Sequence, residues 1–145
     1  MHPYPHRYRV SAAASPAGSV PVRASGLPDL ATAPPKEFDG PGDQWSPESL
    51  LCAAVADCFI LSFRAIARAS KYEWRELGCQ VEGVLDRLDG VTQFTSFTTH
   101  ATLRISADAD EARGRVLMDK AEHSCLVANS LRGTRTLVAE VVRGQ

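Results

Sequence analysis

Between Leu50 and Ala69 the apolar residues recur on a helical period, and between Leu77 and Ile105 they alternate with polar ones, so the period drops from about 3.6 residues to about 2. Ser46 is a suitable cap, Pro47 suits a first helical position, and Glu48 puts an acid in the first turn, so a helix is predicted from Ser46 to near Ser70. Leu50, Leu51, Ala54, Val55, Cys58 and Phe59, with the apolar residues that follow, cover more than half of its circumference, as in a central helix enclosed by other elements. Leu77, Cys79, Val81, Gly83 and Leu85 point one way along a first long strand. Phe94 through Ile105 forms a second, joined to the first by a hairpin turn at "LDG". Asp108 and Asp110 can begin a second helix, "DEARGRVLMDKAEHS", with Ala112, Val116, Leu117 and Ala121 as its inner stripe. "CLVANSLRG" reads as a short helical piece stopped by Gly133, and "TRTLVAEVVR" as a closing strand.

Ahead of the central helix, residues 6 to 25 alternate loosely around a turn at Pro16, Ala17 and Gly18, which predicts a hairpin. Residues 26 to 42 hold four prolines and predict a surface loop. The fold class is therefore α+β with antiparallel pairing, a long central helix packed on a curved sheet, in a single domain spanning 1–145. A chain of 145 residues buries a core without disulfides or metals. Sixteen basic and seventeen acidic residues, with no block of either sign, argue against nucleic acid as a partner. The apolar run Leu50 to Phe63, interrupted by Asp57 and followed by Arg64 and Arg68, falls short of the ~20 residues of a membrane helix. No export signal is visible at the amino terminus, so the expected location is the cytoplasm.

Candidate chemistry rests on the four cysteines, Cys52, Cys58, Cys79 and Cys125, which have no zinc-finger spacing. Cys58 sits mid-helix among apolar neighbours, where a free cysteine is commonly a small hydrophobe. Cys52, six residues earlier, lies about 120° away on the wheel and reads as core, as does Cys79 in its strand. Cys125 is expected at the amino terminus of a short helix, where unpaired N–H groups lower a thiol's pKa, with His123 nearby as a candidate base. On position alone it is the better-placed thiolate.

The segment "SPESLLCAAVADCF" resembles the "NPE(E/Q)L…AAxAACF" stretch of the OsmC/Ohr family, the osmotically inducible and organic hydroperoxide resistance proteins. Glu48 and Cys58 match the ten-residue spacing of that motif, and "SCLVANSLRG" resembles its second motif, "CP(V/Y)S(N/K)", with Cys125 in place and Leu126 where the family has proline. The resemblance implies an OsmC-like fold, an intertwined homodimer and a thiol peroxidase acting on organic hydroperoxides, with no metal or organic cofactor. Cys58 would be the peroxidatic thiol and Cys125 the resolving one, the disulfide being reduced by a dithiol such as dihydrolipoamide or a lipoylated protein. Family peroxidases also place an arginine in the amino-terminal hairpin turn, oriented by the carboxylate that Glu48 matches. Ser15 or Pro16 occupies that turn here, and Arg23, on the neighbouring strand, is the cation that best replaces it. Two other readings stand beside this one. The first is a redox-sensing or hydrophobic-ligand-binding protein of the same fold with little or no turnover. The second, ranked lowest, is a metal site from Cys58, His123 and Cys125, which is one ligand short.

Overall fold

The computed structural model describes residues 1–144. The chain divides into two compact units, residues 1–51 and 52–145. Two 3-stranded sheets and two long helices form in these units.

In the first unit, β1 (Ser11–Ala12) pairs antiparallel with β2 (Val20–Arg23), giving the hairpin predicted around Gly18. The expected loop holds a further strand, β3 (Leu30–Thr32), antiparallel to β2. Three residues suffice for that strand because Thr32 Oγ1 donates to Val20 O at 2.9 Å and Ala33 N to Trp45 O at 2.9 Å. Helix α1 (Pro47–Ala69) begins in this unit and continues into the next. Its start is a reciprocal box. Ser49 N donates to Ser46 Oγ at 3.1 Å and Ser46 N to Ser49 Oγ at 2.9 Å, with serine in the place usually held by glutamate.

The second unit is built on β4 (Glu76–Leu88) and β5 (Val91–Ser106), a long antiparallel pair. They are joined by Asp89 and Gly90, both at positive φ (52° and 78°), the two-residue turn whose twist matches the strands it connects. A register shift between Val84 and Leu85 marks a bulge. Helix α2 (Glu111–Ser124), capped by the Asp110 side chain accepting from Arg113 N at 3.1 Å, crosses back to β6 (Thr134–Gly144). β6 runs parallel to β5, which corrects the expectation of purely antiparallel pairing: the α2 crossover returns the chain to the same end of the sheet.

The inner face of this sheet carries Leu77, Ala101, Leu103 and Ile105, packed against Phe59, Phe63 and Ala67 of α1 and Leu117, Met118 and Ala121 of α2. Trp74 meets Phe63 edge to face, with centroids 5.3 Å apart. The stripe of α2 is Gly114, Leu117, Met118 and Ala121, whereas Ala112 and Val116 face outward, contrary to the sequence expectation. Gly114 sets the rotation, since its missing side chain makes room for Tyr72 and Leu103. On α1 only Val55, Phe59, Phe63 and Ala67 are buried, a single row at four-residue spacing, so the chain itself does not enclose the helix as expected. By length and composition alone α1 is long and apolar enough to cross a membrane, whereas the shorter run read from sequence, Leu50 to Phe63, fell short of that length.

Candidate active site

Cys58 sits one helical turn before Ser62 on α1, with Cys58 Sγ and Ser62 Oγ 3.9 Å apart. The segment that meets it follows α2. Helix α2 ends at Ser124, and Cys125 leaves it in an extended conformation (φ −63°, ψ 108°), its N–H donating to Glu122 O. The chain then turns helical again: Asn129 N donates to Cys125 O at 2.9 Å, Ser130 N to Val127 O at 3.0 Å and Leu131 N to Ala128 O at 3.1 Å. The first N–H groups of such a turn have no carbonyl upstream to bond. Here they meet sulfur. The Val127 and Leu126 N–H groups lower the pKa of Cys58, and the Ala128 N–H acts in the same direction on Cys125.

These donors separate the two thiols. Burial pushes Cys58 up, but the Val127 N–H, the Cys125 thiol, the Ser62 hydroxyl and the Leu126 N–H together outweigh it, and the pKa falls below its ordinary 9.0. Cys125 is fully buried, and burial pushes its pKa up to about 11 despite the Ala128 N–H, with the neighbouring Cys58 and Glu122 charges adding to the rise. This is the opposite of what position along the chain alone suggested for Cys125, and it is the order that the family resemblance implied: the Cys58 pKa is lowered and the Cys125 pKa raised. The donors do follow Cys125, but most of them point at the other sulfur.

The other thiols are raised. Burial raises Cys52, and burial together with the Asp57 carboxylate raises Cys79, whose Sγ donates to Ala56 O at 3.6 Å. All four cysteines are free. His123 stays exposed, its Nδ1 bonded to Asp119 O at 2.8 Å, and among the described residues no three side chains of His, Cys, Asp or Glu gather as metal ligands.

In the first unit, Arg23 Nε donates to Asp29 Oδ2 at 2.9 Å in a half-exposed ion pair, so its guanidinium is already engaged. Glu48 Oε1 is buried and has no partner among the described residues. Within the second unit, the groups that lower the Cys58 pKa are dipoles: two backbone N–H groups, a hydroxyl and a thiol. Sequence reasoning placed Ser62 on the same helix face as Cys58, four residues on, but gave its hydroxyl no role. It expected unpaired N–H groups after Cys125 but assigned them to Cys125, whereas those of Leu126 and Val127 act on Cys58. The replacement of proline by Leu126 was visible, and it supplies an N–H that proline lacks.

Residues 40–139 match the family model described as OsmC-like protein. The chain is 31% identical over 109 residues to the uncharacterized protein YmaD of Bacillus subtilis, covering 73% of each. It is 33% identical over 108 residues to an organic hydroperoxide resistance protein of Xanthomonas axonopodis pv. citri, covering 72% of each. Among solved structures, an OsmC-like protein of unknown function from Vibrio cholerae superposes with a TM-score of 0.83 at 15% identity, over 94% of this chain and 99% of that one. With its α+β fold shared and its sequence matched from Gly40 to Ala139, the chain belongs to the OsmC/Ohr family.

Proposed function

We propose that the protein is a two-cysteine peroxidase for organic hydroperoxides, with Cys58 as nucleophile and Cys125 as resolving thiol. The observation that carries this reading is the split pair: a thiol lowered by converging dipoles, set against a fully buried thiol raised to about 11. The Cys58 thiolate attacks the terminal oxygen of the hydroperoxide, the O–O bond breaks, and an alkoxide leaves. The Cys125 thiol protonates that alkoxide to the alcohol. Once Cys58 has become a neutral sulfenic acid, the charge that opposed ionisation of Cys125 is gone. The Cys125 thiolate then attacks the Cys58 sulfur, the S–S bond forms, and hydroxide leaves to take up the proton that Cys58 first released. One hydroperoxide and two thiols become one alcohol, one water and one disulfide. A dithiol such as dihydrolipoamide, free or on a lipoylated protein, returns both thiols by exchange. No metal or organic cofactor enters this scheme, and the free cysteines suit a reducing compartment such as the cytoplasm.

Glu48 belongs to the proposal as a buried acceptor still open to a donor. The homodimer belongs to it too, supported by the apolar surface that α1 leaves uncovered, where Leu61 is 49% exposed. The test is turnover of cumene hydroperoxide with dihydrolipoamide as reductant. Sustained turnover that Cys58→Ser abolishes is expected. A second reading, a redox-sensing or ligand-binding protein of the same fold, is favoured by the amino-terminal turn, where Ser15 or Pro16 stands in place of the family arginine. It predicts a single oxidation of Cys58 without further cycles.

A further inference from the structure

Arg135 lies on β6 opposite Phe97, on the same side of the strand as Leu137, Ala139 and Val141, which pack on the core. A guanidinium there needs an explanation. Its Nε donates to Glu122 Oε1 at 2.8 Å, one terminal nitrogen to Asn129 Oδ1 at 2.7 Å, and the other to the Glu122 carbonyl. Asn129 Nδ2 in turn donates to His123 O at 3.2 Å. Glu122 and Arg135 are mostly buried, with side chains 13% and 24% exposed. One side chain thereby ties the last turn of α2 to the turn after Cys125, and Cys125 lies between the two tied points.

A mostly buried ion pair is a poor source of stability, because desolvation cancels most of its attraction, and an apolar residue like those beside it would serve the core as well. What the pair does supply is a fixed geometry, through a planar fork with three acceptors at defined angles. The Glu122 carboxylate, which bears on Cys125, is also neutralised by the same contact.

We propose that Arg135 is a positioning residue of the thiol pair: through Glu122 and Asn129 it holds the Cys125–Ser130 turn so that Cys125 Sγ and the Leu126 and Val127 N–H groups stay on Cys58. This rests on the assignment of Cys58 and Cys125 as the reacting pair. Without Arg135 the turn keeps its backbone bonds but loses the fork, so Cys125 spends less time in reach of Cys58 and the thiolate loses donors.

The full chain and its Arg135→Met, Arg135→Lys and Asn129→Ala variants are equilibrated in glutathione redox buffers, and the Cys58–Cys125 disulfide is quantified by mass spectrometry. Iodoacetamide alkylation of Cys58 is followed against pH in parallel. Folding is checked by circular dichroism. Arg135→Met is expected to lower the effective concentration of Cys125 at Cys58 by about tenfold or more. It should also move the alkylation inflection to higher pH. Arg135→Lys should recover part of both, and Asn129→Ala should fall between with the Glu122 pair intact. Folded Arg135→Met with the parent equilibrium and pH profile overturns the proposal. If Arg135→Met fails to fold, parent values in Asn129→Ala overturn it. A parent protein that forms no Cys58–Cys125 disulfide in any buffer overturns both this proposal and the peroxidase. Variants that behave as expected in glutathione, in a protein whose Cys58 ignores hydroperoxide, leave Arg135 in its role and remove only the peroxidase.

Discussion

The pKa of Cys58, a half-buried thiol, is lowered by hydrogen-bond donors. Burial alone would leave it inert, and the donors that reverse the balance are two backbone N–H groups, one hydroxyl and one thiol. A hydrogen bond to a charged acceptor contributes roughly 1.5–3 kcal/mol, and losing the weakest of the four donors, at the lower end of that range, should raise the pKa by about one unit. Leu126→Pro removes the Leu126 N–H and is expected to move the alkylation inflection of Cys58 up by that amount, measured by iodoacetamide trapping against pH. On the acid side of the inflection, the thiolate fraction and the alkylation rate then fall by about tenfold. The pair Cys58 and Cys125 was legible in the sequence through its two motifs. The resemblance also implied their order, but the physical cause was not legible, because the N–H groups after Cys125 act on whatever the fold lays against them, and that is a sulfur from another helix.

At the scale of elements, α2 illustrates where periodicity misleads. Its apolar residues Val116, Leu117 and Ala121 allow two neighbouring stripes, and a glycine that makes room for other side chains decides between them. A Cβ on Gly114 would stand 2.7 Å from Tyr72 Oη and 2.9 Å from Leu103 Cδ2. Gly114→Ala is therefore expected to destabilise the protein by about 1–3 kcal/mol, although alanine is the better helix former by about 1 kcal/mol. Urea unfolding checks the sign. The long strands, their two-residue turn and both helix starts followed from alternation, Asp-Gly chemistry and caps. The parallel direction of β6 did not, since strand direction depends on which end of the sheet the crossover reaches. The three-residue β3 was hidden because it is held by hydrogen bonds rather than by a hydrophobic pattern.

On the scale of the whole molecule, the sequence read α1 as a helix enclosed on most of its circumference, yet its own chain buries one row of four residues. The surplus apolar surface supports the homodimer put forward above. Leu61→Glu, which places a charge on the exposed side of α1, is expected to shift the protein toward monomer in sedimentation velocity runs at micromolar concentration while leaving its circular dichroism unchanged. The most direct test of the two-cysteine mechanism is the intact mass and thiol count of the reduced protein before and after one equivalent of cumene hydroperoxide, with Cys58→Ser and Cys125→Ser beside it. The account predicts rapid loss of two thiols and two hydrogens in the parent protein as Cys58 joins Cys125. It also predicts one added oxygen on Cys58 in Cys125→Ser, and no reaction in Cys58→Ser. Unchanged thiols in the parent protein, or loss that persists in Cys58→Ser, would contradict it.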